Sequence, residues 1–294
     1  MREIPLIASL RVFYSPKMLA DAESFSPSAS KPKHVLASWR RLGIPISVIE
    51  PDPVTHAELC LAHDKGFVER VLSAKDRNGF GNRSPQVAAS LPYTSGAMLA
   101  AARETLRNRA VAVAPCSGFH HARFGAPDGF CTFNGLVVAA QVLKIGGEAR
   151  RIGILDFDQH YGDGTDDIIE HLGLRYIEHY SAGQHWCSPE KAEEFLSAIP
   201  SIVERMADCS LILYQAGADP HVDDELGGWL TTKQLAERDR IVFEAAKKAR
   251  VPLAWNLAGG YQKPLRKVLD IHDNTLRACW EVYGAPGGPS RGSA

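Results

Sequence analysis

Four short apolar runs recur along the chain, and each is followed by a polar or glycine-rich segment. The runs are AVAVAP (110–115), RIGILDFD (151–158), SLILYQ (210–215) and VPLAWN (251–256). Near-continuous apolar runs of this length are typical of parallel strands that are covered on both faces. The pattern therefore predicts four buried parallel β-strands.

Segments with a helical spacing of apolar residues separate these runs. They predict helices over 134–144, 189–207, 232–249 and 264–282. The third helix ends in Lys-Lys-Ala-Arg, which suits the negative end of the helix dipole. Strands that alternate with helices indicate an α/β fold with a doubly wound, mostly parallel sheet flanked by helices.

The segments 22–34 and 76–95 are rich in Ser, Pro, Gly and Asn, and this composition predicts long loops. No internal boundary divides the chain, so we expect one catalytic domain over 1–283. The last stretch, GAPGGPSRGSA (284–294), is typical of a flexible tail.

Composition narrows the class of protein. The 294 residues carry a formal net charge of −1, which argues against nucleic acid or a membrane surface as a partner. The six cysteines are scattered without a CxxC pair, so neither a disulfide framework nor a thiolate zinc site is expected. No signal peptide and no apolar run of transmembrane length is visible. These features favour a cytoplasmic protein with reduced thiols.

Residues that bind metals or transfer protons follow all four predicted strands. In open α/β sheets, ligands bind beyond the carboxyl ends of the strands, so these residues are expected to meet there. They are His120 and His121, then Asp156, Asp158 and His160, then Asp219, and finally Tyr261 after Gly259 and Gly260.

Asp158 and His160 are two residues apart, so on an extended segment their side chains point the same way. Asp219 would join them from a neighbouring strand end. Two carboxylates and one imidazole can bind a divalent cation and leave a position open for water. Zinc suits this set, and Fe(II), Mn or Co are also compatible with it. The alternative is that these residues have a purely structural role, in which Asp158 caps a loop and His160 is an ordinary packed side chain.

The adjacent His120 and His121 could both enter one cleft if the backbone bends at Gly118. A histidine is the usual general base for a water nucleophile, and it needs a carboxylate behind it to set its tautomer. Asp156 and Asp163 are available for that task. The phenol of Tyr261 could donate to a developing oxyanion, or it could be an ordinary core side chain.

Four blocks of this sequence closely resemble the histone deacetylase family, of the arginase/deacetylase fold, and are nearest its bacterial or class IV-like branch. The resemblance covers roughly residues 10–283. The blocks are SGFHHARFGAPDGFCTFNG (117–135), LDFDQHYGDGT (155–165), QAGADPHVDDELGG (215–228) and LAGGYQ (257–262).

The resemblance implies a role for each matching residue. Asp158, His160 and Asp219 match the zinc ligands. His121 matches the general base and acid, backed by Asp163, and His120 matches its partner, backed by Asp156. Tyr261 matches the tyrosine that polarises the carbonyl. Potassium is also implied as a structural cation near the Asp-x-Asp-x-His loop. The positions that match substrate contacts are Phe119, Gly129, Phe130, Leu226 and Gly259.

The function implied is a zinc-dependent hydrolase that removes an acetyl or longer acyl group from an amine such as an acyl-lysine protein or peptide. Metal-activated water would attack, with His121 as base and acid and Tyr261 stabilising the oxyanion. One alternative is a deacetylase of acetylpolyamines or other small acetyl amides, although Leu226 replaces the acidic residue of polyamine-specific members. Others are an arginase-like ureohydrolase and a non-catalytic small-molecule-binding homologue. The sequence predicts no oligomeric state.

The sequence also departs from the family pattern. Tyr161 replaces the second histidine of the family's Asp-x-Asp-x-His-His block. In the family, that histidine is not a metal ligand. Lys33 or His34 falls where the family has an internal-channel arginine. No aspartate in 76–95 matches the family's rim residue.

Overall fold

The computed structural model describes residues 4–286, and within them seven parallel strands form one sheet in the order β2-β1-β3-β7-β6-β4-β5. This confirms the predicted fold class. The four predicted strands are present as β3, β4, β6 and β7, and they are neighbours at the centre of the sheet. The strands are β1 (Leu10–Phe13), β2 (Ile46–Ile49), β3 (Val111–Val113), β4 (Ile152–Asp156), β5 (Ile177–Ser181), β6 (Leu211–Gln215) and β7 (Leu253–Asn256).

Helices cover both faces of the sheet, and the four predicted helices are present as α5, α7, α8 and α9. The helices are α1 (Lys31–Trp39), α2 (His56–Leu59), α3 (Lys65–Leu72), α4 (Pro85–Asn108), α5 (Gly135–Ile145), α6 (Asp163–Leu172), α7 (Ala192–Glu204), α8 (Thr232–Ala249) and α9 (Arg266–Tyr283).

Two hydrophobic cores lie on opposite faces of the sheet, and β6 contributes to both. Ile212 and Tyr214 pack with α1, α7, α8 and α9, whereas Leu211 and Leu213 pack with α2 to α6. Successive side chains of a strand point to opposite faces, so a strand between two helix layers must be apolar at nearly every position. This explains why the central strands read as continuous apolar runs.

The prediction of loops was wrong at two places, because both segments contain the start of a helix. In 76–95 the loop ends at Ser84, whose side chain accepts from the Val87 amide and caps α4 at Pro85. Proline is tolerated in the first turn of a helix, where its missing amide has no partner to lose. In 22–34 the loop gives way to α1 at Lys31.

The ends of the described chain lie together, since Ala285 N donates to Ile7 O at 2.9 Å. Most of the predicted tail, 287–294, falls outside the described residues. Among the residues that are described, no helix has the length and apolar character that a membrane span requires.

Candidate metal and acid–base site

The candidate site lies where β4, β6 and β7 end side by side. Asp158 follows β4 by two residues, and Asp219 follows β6 by four. Gly259 lies in the loop after the adjacent β7. Because parallel strands have their carboxyl ends at the same edge, residues distant in sequence meet at this edge.

Asp158, His160 and Asp219 present three potential ligand atoms within 4.8 Å of one another. His160 Nδ1 lies 3.2 Å from Asp158 Oδ1 and 3.2 Å from Asp219 Oδ2. His160 hydrogen-bonds to Asp158, which leaves the buried Asp219 Oδ2 with no hydrogen-bond partner. A buried carboxylate oxygen without a partner is costly, so this donor set fits a divalent cation.

Burial and mutual repulsion shape the electrostatics of this cluster. Desolvation and the adjacent Asp158 raise the pKa of Asp219 to about 7. Burial also opposes ionisation of Asp158, yet His120 and His160 hold its pKa well below the usual value. The hydrogen bond to Asp158 and the nearby Asp219 carboxylate raise the pKa of His160 to about 11. The cluster therefore favours positive charge beside its carboxylates.

Main-chain groups hold the ligand side chains in place. Gly259 N donates to Asp158 Oδ2 at 2.8 Å, and Gln159 N donates to Asp219 Oδ1 at 3.2 Å. His160 Nε2 lies 3.2 Å from Leu226 O, and a hydrogen bond there directs Nδ1 toward the carboxylates. Gly259, predicted as a substrate contact, thus directly contacts a candidate ligand.

His120 and His121 each have their own carboxylate. His120 Nδ1 is 2.7 Å from Asp156 Oδ2, and His121 Nδ1 is 2.8 Å from Asp163 Oδ1. The two rings lie 4.1 Å apart between centroids. A carboxylate at Nδ1 favours the tautomer with its proton there, which leaves Nε2 of His121 able to accept a proton.

The two histidines differ in charge. Burial alone would lower the pKa of His120, but Asp156 and Asp158 outweigh burial and raise it to about 9. Burial and the adjacent His120 lower the pKa of His121. The surroundings therefore favour a proton on His120 over one on His121.

Aromatic side chains surround Tyr261. The Phe130 ring lies 5.6 Å from the Tyr261 ring, and Phe25 lies 5.4 Å from Phe130 and 6.4 Å from Tyr261. Phe25 is 58% exposed, so it extends this cluster to the surface. Burial raises the pKa of the Tyr261 phenol, which keeps its proton available for donation. The sequence did not indicate Phe25, because it is a single apolar residue in a polar loop.

Two other predicted substrate contacts also lie at this site. A Cβ at Gly129 would lie 2.4 Å from His121 Cδ2, and its φ of +47° is a conformation that favours glycine. Leu226 is 36% exposed beside His160. Gly129 thus adjoins the candidate base His121, and Leu226 adjoins the candidate ligand His160.

Phe119 packs against the first residue of α5. It is buried, and a Cβ at Gly135 would lie 2.6 Å from Phe119 Cε1. Its amide donates to Gln215 Oε1 at 3.0 Å. Phe119 and Phe130 line the same small cavity.

Lys31 places a buried positive charge at the site. The sequence had indicated Lys33 or His34, two and three residues further along the chain. Lys31 is fully buried, and its Nζ donates to Ala258 O at 2.5 Å and to Gly259 O at 3.2 Å. Lys33 is exposed and His34 is half-buried. Desolvation lowers the pKa of Lys31 to about 8. Which of these side chains points inward depends on where α1 begins. The sequence analysis missed that position because it predicted a loop over 22–34.

The chain is similar to known proteins in sequence and in fold. The sequence profile of the histone deacetylase domain matches residues 27–185 and 177–277. An uncharacterised protein of Picosynechococcus sp. is 27% identical over 262 residues, which cover 81% of this chain and 87% of that protein. Histone deacetylase 2 of Arabidopsis thaliana is 22% identical over 264 residues, which cover 79% of this chain and 68% of that protein.

Two solved structures have the same fold. The HDA15 HD domain matches with a TM-score of 0.75 and 18% identity, over 92% of this chain and 90% of that one. An acetylpolyamine aminohydrolase from Burkholderia pseudomallei matches with a TM-score of 0.73 and 18% identity, over 94% of this chain and 100% of that one.

Proposed function

Because this chain belongs to the histone deacetylase family, it is an amide hydrolase of the deacetylase type, and we propose that it acts on N-acyl amines such as acyl-lysine. We propose further that Asp158, His160 and Asp219 hold a zinc ion. The observation that carries this proposal is the meeting of Asp158, His160 and Asp219, whose potential ligand atoms lie within 4.8 Å of one another.

A divalent cation in this position supplies Lewis acidity to the acyl carbonyl and makes water more acidic. His121 takes the proton of the attacking water at Nε2, because its Nδ1 is paired with Asp163. The same Nε2 then returns that proton to the leaving amine. The Tyr261 hydroxyl donates a hydrogen bond to the carbonyl oxygen as negative charge develops.

The surface around the site favours a neutral substrate over a polycation. Leu226 and Phe25 are apolar and exposed. The nearby acid Glu225 is neutralised by Lys263, at 3.0 Å between Oε2 and Nζ. Asp223 lies 3.8 Å from the Nζ of Lys267. We therefore propose acyl-lysine peptides or neutral acyl amides as substrates, ahead of acetylpolyamines.

The test combines metal analysis with a substrate panel. Protein treated with a chelator should lose hydrolysis of an acetyl-lysine peptide and regain it with Zn²⁺ or Fe²⁺. The panel compares that peptide, longer acyl-lysines, acetylspermidine and a small acetyl amide, in KCl and in NaCl to test the expected monovalent cation. Asp219→Asn should lose metal and activity, whereas Asp208→Asn, in an exposed ion pair with Arg151, should keep both.

Full activity in metal-free protein would refute the metal assignment. A preference for acetylspermidine would instead refute the substrate class and favour the polyamine alternative.

A further inference from the structure

An ion pair is buried on α8 beneath the candidate metal site. Arg238 and Asp239 are both essentially inaccessible to solvent, and Arg238 Nη2 lies 2.8 Å from Asp239 Oδ1. Burying a guanidinium is costly, and such a pair is often no more stabilising than apolar residues of the same volume. Fold stability alone therefore does not account for it.

The guanidinium joins the two strand ends that carry the carboxylate ligands. Arg238 Nη1 donates to Phe157 O at 3.0 Å and to Gly217 O at 2.8 Å. Phe157 directly precedes Asp158, and Gly217 lies two residues before Asp219. One nitrogen atom thus contacts both ligand-bearing loops.

The two loops are in direct contact above this nitrogen. A Cβ at Gly217 would lie 2.7 Å from the Cα of Asp158 and 2.8 Å from Asp219 Oδ1. There is no room for a side chain between the loops. Their relative position therefore depends on backbone contact and on the group that joins their carbonyls.

Asp239 holds the guanidinium in its orientation. Asp239 Oδ1 accepts from Arg238 Nε at 2.8 Å and from the Tyr214 hydroxyl at 2.5 Å. Asp239 Oδ2 accepts from the Thr275 hydroxyl at 2.5 Å. Tyr214 belongs to β6 and Thr275 to α9, so the orientation is determined by three elements of the fold.

We propose that Arg238, held by Asp239, is a positioning residue that sets the separation and orientation of the two carboxylate ligands, Asp158 and Asp219. This inference rests on the metal site proposed above. The two hydrogen bonds that Nη1 donates restrain the Phe157 and Gly217 carbonyls, close to the ligands in the chain. Its charge also offsets the repulsion between two ionised carboxylates. Ligands that are oriented in advance bind a metal more tightly.

The experiment measures Zn²⁺ affinity of the metal-depleted full chain by competition with a chromophoric chelator. Arg238→Met should weaken affinity by roughly 10–100-fold, the usual effect of losing a group that orients ligands. Arg238→Lys should lose less, because it keeps the charge but cannot reproduce the planar set of donors. In the reloaded enzyme, kcat should fall with little change in KM.

Val242→Ala is the matched control. Val242 is a fully buried residue of α8 in the core and is four residues from Arg238. It should lower the thermal stability of the fold while leaving the Zn²⁺ affinity of the folded protein unchanged.

Thr275→Val is a milder second variant in case Arg238→Met does not fold. It should also weaken Zn²⁺ binding, because it removes a hydrogen bond that holds Asp239.

Unchanged Zn²⁺ affinity in Arg238→Met, or in Thr275→Val if the first variant does not fold, would overturn this inference and leave the proposed function standing. The same loss of affinity in Val242→Ala would also overturn it, since the role would then be structural. A wild-type chain that binds no Zn²⁺ would overturn both proposals.

Discussion

At the scale of single residues, the site depends on the absence of side chains as much as on their presence. A Cβ at Gly259 would lie 2.1 Å from Asp219 Oδ2, and one at Gly129 would lie 2.4 Å from the His121 ring. Both distances are far below van der Waals contact. Gly259 and Gly129, which lie in two of the blocks that resemble the family, thus allow the backbone to lie directly against a candidate ligand and the candidate base.

Gly259→Ala should displace the Asp219 carboxylate and weaken Zn²⁺ binding by roughly 10-fold or more. Chelator competition measures the affinity, and circular dichroism checks the fold. Gly125→Ala is the control, because a Cβ there would meet nothing within 4 Å. Equal affinity in the two variants would contradict the contact seen at Gly259.

Tyr261→Phe should lower kcat on the order of 10²–10³-fold, as expected for one lost oxyanion donor. KM and metal content should change little, because the phenol is proposed to act on the developing charge. Steady-state kinetics with an acetyl-lysine peptide measures the effect. Activity equal to the parent enzyme would exclude this role for the hydroxyl.

At the scale of elements, the four central strands were predictable and the two edge strands were not. The four predicted strands are the contiguous neighbours β3, β7, β6 and β4. β2 and β5 lie at the edges and are partly exposed along most of their length. An edge strand needs no continuous apolar run, so its sequence resembles that of a loop.

Helix α4 shows the opposite case, a long helix hidden by its composition. It contains Pro92, whose carbonyl accepts from Val54 N at 3.0 Å, and Gly96, which lies against the same segment. A Cβ at Gly96 would lie 2.1 Å from Asp52 O. The missing side chain of Gly96 thus allows the neighbouring segment to pack against the helix, and the Pro92 carbonyl hydrogen-bonds to that segment.

Gly96→Ala should therefore lower the free energy of unfolding by about 1–3 kcal/mol, although alanine favours helix more than glycine does. Urea denaturation followed by circular dichroism measures the change, with Gly125→Ala as the control again. A stabilised Gly96→Ala variant would mean that helix propensity outweighs the contact with Asp52.

At the scale of the whole molecule, a buried neutral histidine makes stability depend on pH. His63 Nδ1 lies 2.9 Å from Arg123 O, and its Nε2 accepts from Asn134 N at 2.8 Å. Only the neutral ring can satisfy both contacts, and burial lowers its pKa to about 4. The unfolded chain, with a histidine pKa near 6.5, then binds more protons between these values.

Stability should consequently fall as pH falls from about 6.5 to about 4. His63 should contribute a loss of about 2 kcal/mol between pH 7 and pH 5. Urea denaturation at the two pH values measures it, and His63→Gln should show a pH-dependent loss that is smaller by this amount. An identical loss in both proteins would assign the pH dependence to other groups, such as the buried His272.

The sequence by itself determined the central strands and the candidate ligands Asp158, His160 and Asp219. It could do so because parallel strands between two helix layers must be apolar, and because their carboxyl ends share one edge of the sheet. Only the tertiary structure decided that Lys31 and Arg238 lie beneath that edge. Both lysine and arginine donate to main-chain carbonyls of distant segments, and the sequence cannot indicate these contacts because every residue has such a carbonyl. Their positions depend on how the helices pack against the sheet.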